Sequence, residues 1–466
     1  MEKMGEEATN TPEIEQKFVF ELLTGDILAR PVFARDGHVL LDAGAYLTTD
    51  LISRIETWGV DTVFVKKTAD SAGLLEETGN QEIVLLSEEE AKEPFLLSLG
   101  TLEPEEPIEW EEISKAEPPP SEEKMEVLEE EIEKRQPQRK PVERTLAAPP
   151  PIVYNRREFR EAKRVLHEVH RQVVNESRIA ISNLARRKET NVMALRRLIV
   201  RLVDDGLANH NVLGALANLT RFDDQLLSHT VSTTVYSILV GYMLGMKREE
   251  LFELAESALL HDIGMSRISP DVWKKQGRLT DDELLEIQKH TIFGADLLHN
   301  IPGITFVSEI VAYQHHERYD GSGYPKGRRG IAINEYARIV GLVDVYAAMT
   351  APRPWRERLL SYEVMKHILA SSSSLFDPLV VKAFLRCMSL YPVGSLVELT
   401  NGSKGVVVAA NPLYPYRPQV KITQETSGKV AGSDGDVVNL CEEPSISILR
   451  AIRDENVSND AIWRAI

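Results

Sequence analysis

The run His315-His316-Glu317-Arg318-Tyr319-Asp320-Gly321-Ser322-Gly323-Tyr324-Pro325 places two adjacent imidazoles at the head of a glycine-punctuated loop. His261-Asp262-Ile263-Gly264 lies upstream and Asp344 lies downstream. Groups so far apart in sequence can act together only if several helices converge on one point. A chain that carries this set is constrained to a helical core with a polar centre.

The pattern around these residues agrees. Helical periodicity runs almost unbroken from Arg156 to about Leu390, with helices expected near 157–187, 190–206, 222–245, 248–262, 281–298, 304–314, 333–349, 361–370 and 378–389. Residues 12–68 read as a small α+β module. Strand pieces at Gly25–Ala29, Val32–Ala34, Val39–Leu41 and Thr62–Val65 flank a helix with Leu51, Ile52, Ile55 and Trp58 on its apolar face. Residues 393–448 switch to strand chemistry, with an Asn401-Gly402 turn between Ser395–Leu399 and Gly405–Val408, and suggest a small barrel-like β domain. The fold class is therefore mainly α, and the expected order is 12–68 α+β module, 69–150 linker, 151–392 helical domain, 393–448 β-rich domain and 449–466 tail. A short amphipathic helix is expected at Asp460–Ile466.

The net charge of -18 belongs almost wholly to the linker. Residues 76–134 hold 21 Glu and 4 Lys, with neither Asp nor Arg, so 4 - 21 = -17. Elsewhere the chain is near neutral, which argues against a nucleic-acid platform. Glu and Pro dominate 69–150, a composition that buries too little apolar surface to offset ordering entropy and points to an extended, disordered linker. Met125, Val127, Leu128 and Ile132 punctuate the acids and allow a short helix near 121–134. No apolar run reaches the ~18 residues of a membrane helix. The N-terminus lacks the apolar core of a signal peptide. Cys387 and Cys441 cannot form a disulfide framework, so a cytoplasmic protein is expected.

The candidate ligands are His229, His261, Asp262, His290, His315, His316 and Asp344. Each histidine alone would more commonly be a structural residue. Asp344, between Leu342, Val343 and Val345, is harder to explain, because a bare carboxylate in so apolar a stretch costs several kcal/mol. His38, His167, His170, His210, His299 and His367 lack such a pattern and read as ordinary residues. Imidazoles with carboxylates suit Fe, Mn, Co, Ni or Zn better than Ca or Mg. Two divalent ions against Asp262 and Asp344 would leave a cationic site, which favours an anionic phosphodiester as substrate.

At these residues the chain resembles the HD-GYP family of metal-dependent cyclic di-GMP phosphodiesterases. His261-Asp262-Ile263-Gly264 is similar to the HD signature, and His315-His316-Glu317 through Asp320–Pro325 to the GYP signature. Arg338-Ile339, Asp344-Val345 and Arg353-Pro354-Trp355-Arg356 resemble the segment that follows. The resemblance is strong over about 157–390. It implies an all-helical HD-type domain in which His229, His261, Asp262 and Asp344 hold one metal. Asp262 would bridge to a second metal held by His290, His315 and His316, with iron or manganese preferred. His261 and Asp262 would stand at the catalytic centre. The resemblance further implies that Tyr324, Arg353 and Arg356 contact substrate phosphates or guanines, alongside the Gly321 and Gly323 backbone. Cyclic di-GMP would be cut to linear pGpG, with a second cut to GMP left open. The loop would also serve as a contact for a GGDEF-type diguanylate cyclase, and a homodimer is left open.

The chain departs from the family pattern at two positions. Met265 follows the HDIG tetrad where relatives commonly carry Lys, and Gln225 stands where some members have a Glu for a third metal. The first change motivates a second reading, a catalytically weak domain that binds cyclic di-GMP or a partner. A third reading is the same chemistry on another cyclic dinucleotide.

Overall fold

The computed structural model describes most of residues 14–66, then 110, 113, 114, 119–135, 144–147 and, with gaps, 156–452; the longest gaps are 209–224, 352–358 and 427–435. Two compact units divide the chain, Met1–Glu106 and Pro107–Ile466.

In the first unit β1 (Ile14–Phe18) pairs antiparallel with β4 (Thr62–Lys66), while β2 (Val32–Phe33) pairs with β3 (Val39–Leu41). Alternation brings Val63 and Val65 inward onto Leu28, Leu47 and Ile55, all buried. The pairing partner β1 was not expected from the sequence. Trp58 lies outside the described residues.

The second unit contains the helical domain. Among the described residues its longer helices are α1 (Glu122–Arg135), α2 (Arg156–Ala185), α3 (Val192–Ala208), α4 (Gln225–Met243), α5 (Arg248–Leu260), α6 (Asp281–Gln288), α7 (His290–Leu298), α8 (Phe306–Gln314), α9 (Glu335–Thr350), α10 (Ser361–Ala370) and α11 (Pro378–Met388). Local chemistry fixes several starts. Thr280 and Glu283 exchange a capping box before α6, Asn334 caps α9 through the Tyr336 N–H, and Asp377 with Pro378 opens α11. α4 packs on α5 and α9, and α8 packs on α5 and α7. Tyr236 of α4 and Tyr346 of α9 meet edge-on at 5.3 Å in the core.

Two expectations need correction. The helix expected over 281–298 breaks at Lys289 into α6 and α7, so His290 opens a new helix. The linker expected to be disordered over 69–150 is ordered between 122 and 135, where the short helix allowed near 121–134 forms. There α1 buries Leu128 and Ile132 against Ala295, Ile310 and Tyr313. Its apolar residues recur at helical spacing, and a ready-made apolar surface on α7 and α8 removes them from water. Arg144 is held as well, between Glu250 and Glu335.

The β-rich C-terminal region forms one antiparallel sheet in the order β8-β7-β6-β5-β9, with β5 (Leu396–Leu399), β6 (Lys404–Ala409), β7 (Gln419–Gln424), β8 (Val437–Asn439) and β9 (Ile448–Ala451). The Asn401-Gly402 turn joins β5 to β6 as expected, with Gly402 at φ +83. β9 extends the β domain past the boundary expected at 448. Asp460–Ile466 lie outside the described residues.

Candidate metal centre

Five helices converge on the polar centre. His229 comes from the second turn of α4 and Asp344 from the middle of α9. His261 caps the end of α5 and Asp262 follows it. His290 opens α7, His315 closes α8, and His316 follows His315. His261 and His315 are fully buried and His290 is nearly so, an unusual density of imidazole in an apolar interior.

The two oxygens of Asp262 face different partners. Oδ2 lies 3.5 Å from His261 Nε2 and 3.9 Å from His229 Nε2. Oδ1 lies 3.4 Å from His290 Nε2 and 3.6 Å from His315 Nε2. Two donor groups result, His229–His261–Asp262 and Asp262–His290–His315–His316, each with its donor atoms within 4.8 Å of one another. Asp344 joins the first side, its Oδ1 2.9 Å from His229 Nε2 and 4.0 Å from His261 Nε2.

Backbone carbonyls orient the rings. His261 Nδ1 meets the Ala258 carbonyl at 2.7 Å, His290 Nδ1 meets that of Ile287 at 2.6 Å, and His315 Nδ1 meets that of Ala312 at 3.0 Å. The break at Lys289 is what lets His290 turn back onto Ile287. With a proton on each Nδ1, the Nε2 lone pairs point into the centre. His290 and His315 then face each other through bare Nε2 atoms only 3.3 Å apart, and the buried Nε2 of His261 has no hydrogen-bond partner. Such an arrangement is repulsive unless a cation lies between the donors.

Electrostatics point the same way. Burial pushes His261 down to about 4, lowers His290, and with His315 and His290 alongside holds His316 well below the usual imidazole range. Burial alone would raise both carboxyls. Instead His261, His315 and His290 keep Asp262 well below the carboxylate range, and the His229 hydrogen bond does the same for Asp344. Neutral imidazoles around two ionised, buried carboxylates form a ready receptor for divalent cations.

A glycine lets the centre close. A Cβ on Gly264 would lie 1.9 Å from the His290 carbonyl oxygen, so the turn after Asp262 rests directly on the start of α7. Met265, on the same turn, is half-buried.

The glycine-punctuated loop covers the His290–His315–His316 side. Gly321 has φ +84, and a Cβ on Gly323 would lie 2.4 Å from both the His316 carbonyl oxygen and the Arg318 nitrogen. Tyr324 stacks on His316 with centroids 4.7 Å apart and planes at 25°. Arg353 and Arg356 lie outside the described residues, as does the side chain of Gln225.

Two residues act here that the sequence did not single out. The Glu317 carboxylate accepts from the backbone N–H groups of Lys326 at 2.9 Å and Arg328 at 2.8 Å, folding the loop back on itself. Its place in the His-His-Glu triplet was the only hint. Asp296, buried on α7, takes Arg187 at 2.6 Å and Lys124 at 2.7 Å, with Arg267 at 3.8 Å. No local pattern signals that role.

Comparison with known proteins agrees with this architecture. The HD domain family model matches residues 215–380, and a KOW domain associated with HD domains matches 396–460. A cyclic di-GMP phosphodiesterase of Pseudomonas aeruginosa is 32% identical over 224 residues, 48% of this chain and 54% of that protein. The cyclic di-GMP phosphodiesterase response regulator RpfG of Xanthomonas campestris pv. campestris is 40% identical over 149 residues, 32% of this chain and 39% of that protein. A 3'3'-cGAMP-specific phosphodiesterase of Vibrio cholerae is 37% identical over 143 residues, 29% of this chain and 33% of that protein. The chain thus spans about half, or less, of the curated relatives it matches. Residues 215–380 thus match an HD domain, and the relatives similar to the chain over this region are named cyclic dinucleotide phosphodiesterases.

Proposed function

We propose that the chain is a metal-dependent phosphodiesterase that opens cyclic di-GMP to linear pGpG, lowering a cytoplasmic second messenger. The observation that carries this reading is Asp262, whose two oxygens divide between two histidine groups. His229, His261, Asp262 and Asp344 would hold one ion, and Asp262, His290, His315 and His316 the other, with iron or manganese favoured by the imidazole-rich set. Bound divalent ions would supply Lewis acidity toward the phosphodiester and an activated water.

The chain's own residues do the rest. Carbonyl-locked Nδ1 protons keep His261, His290 and His315 facing inward. The apolar walls of α4, α5 and α9 exclude bulk water, which strengthens every charge interaction inside. Tyr324, stacked on His316, offers a flat face and a hydroxyl at the mouth for a guanine or phosphate. Arg353 and Arg356 are assigned to the substrate phosphates because a planar guanidinium fork matches them. The exposed side of the Asp320–Pro325 loop is the surface we assign to a GGDEF-type cyclase.

Relatives named for 3'3'-cGAMP hydrolysis favour one second reading, the same chemistry on a mixed cyclic dinucleotide. Turnover of cyclic di-GMP and 3'3'-cGAMP by protein loaded with Mn(II) or Fe(II) separates the two. Loss of neither substrate would overturn the enzyme reading and leave a binding domain.

A further inference from the structure

Helix α1 belongs by composition to the acidic segment, yet it spans the elements that build one side of the metal centre. Lys124 near its start reaches Asp296 of α7 at 2.7 Å. Arg135 at its end stacks over Phe306 at 4.2 Å and faces Glu309, so the C-terminal end is fixed to α8. Between these anchors Leu128 and Ile132 are buried on α7 and α8. Those two helices carry His290 and His315.

A second face of α1 meets the loop. Glu129 pairs with Lys326, and Glu133 pairs with Arg328. Glu129 and Glu133 are four apart and share one helix face, and Lys326 and Arg328 alternate along the loop, so the two pairs match in spacing. The backbone N–H groups of the same two loop residues are held from the inside by Glu317. Lys326 and Arg328 are therefore clamped twice, by main chain to the residue after His316 and by side chain to α1. Tyr324 sits two residues before Lys326 and lies against His316.

We propose that α1 is a positioning strap for this loop, with Glu129 and Glu133 holding Lys326 and Arg328 so that Tyr324 stays stacked on His316. The strap rests on the assignment of this centre to phosphodiester hydrolysis. It makes the acidic segment part of the substrate-binding side of the centre, although it touches neither metal ligand nor substrate. Glu129 and Glu133 are positioning residues.

The test uses the full chain and charge swaps. Glu129→Lys with Glu133→Lys replaces two attractions by like-charge contacts, and amide exchange over residues 318–329 should quicken about tenfold. The KM for cyclic di-GMP with saturating Mn(II) should rise by a similar factor while kcat changes less, because the loop binds rather than reacts. Adding Lys326→Glu and Arg328→Glu to that variant should restore both readouts toward the parent. Ile132→Ala, which loosens α1 without altering charge, should quicken exchange in the same loop. The strap is overturned if exchange rises only within 122–135, or if the four-residue swap restores nothing. Absence of hydrolysis in every variant would refute the phosphodiesterase reading instead, since exchange is measured independently of turnover.

Discussion

A Cβ on Gly264 would stand 1.9 Å from the carbonyl oxygen of His290, closer than any real pair of such atoms. The residue two places after Asp262 thus touches the backbone of a ligand on another helix, and the two donor groups are joined through main chain as well as through the aspartate. Gly264→Ala must push α7 away from the turn. Overpacking typically costs ~1–3 kcal/mol, and a backbone carbonyl cannot swing aside like a side chain, so the upper part of that range is expected. Gly294→Ala, where the nearest atom is the Ala312 Cβ at 3.3 Å, should cost clearly less. Denaturant midpoints of the two variants decide the comparison.

Asp262→Ala is expected to lose both ions, because each donor group uses one oxygen of this carboxylate. Asp344→Ala should weaken only the ion on the His229 side. Elemental analysis of purified protein gives the stoichiometry, and full metal content in Asp262→Ala would refute the shared-carboxylate assignment.

Met265 supplies no charge beside the centre. If Lys at this position stabilises charge developing on the phosphate, its absence removes a contact of the kind worth ~2.7–4 kcal/mol, or roughly 10²–10³ in rate. Weak but measurable hydrolysis is therefore expected, with Met265→Lys raising kcat more than it alters KM. Single-turnover rates with saturating Mn(II) are the measurement, and an inactive parent that stays inactive as Met265→Lys would favour the binding-only domain.

Ile132 is fully buried under α1 against Ala295, Ile310 and Tyr313. Ile132→Ala should cost about 2–4 kcal/mol of the helical domain's stability, the usual penalty for emptying such a site. A truncation that begins at residue 150 should melt lower than one that begins at 107, because it strips the cover from Tyr313 and Ile310. Equal melting temperatures would return 107–149 to the status of a dispensable linker.

The sequence by itself determined the helical class, most helix spans and the seven residues that meet at the centre. Helix periodicity and the rarity of histidines flanked by aspartate are local properties, readable without a fold. It also marked the Asp320–Pro325 turn, whose glycines are needed where Gly321 takes positive φ and Gly323 meets the His316 backbone. The division of the ligands was implied only by the family resemblance; its physical basis, the two Asp262 oxygens facing different histidine groups, depends on α5, α7 and α8 meeting at one point. Tertiary structure alone broke the helix at Lys289, where the gain from turning His290 inward outweighs a continuous ladder. The sequence allowed a helix near 121–134, but tertiary structure alone fixed where residues 122–135 dock. Their own composition favours solvation, but a complementary surface on α7, α8 and the loop, distant in sequence, supplies the apolar and ionic contacts that order them.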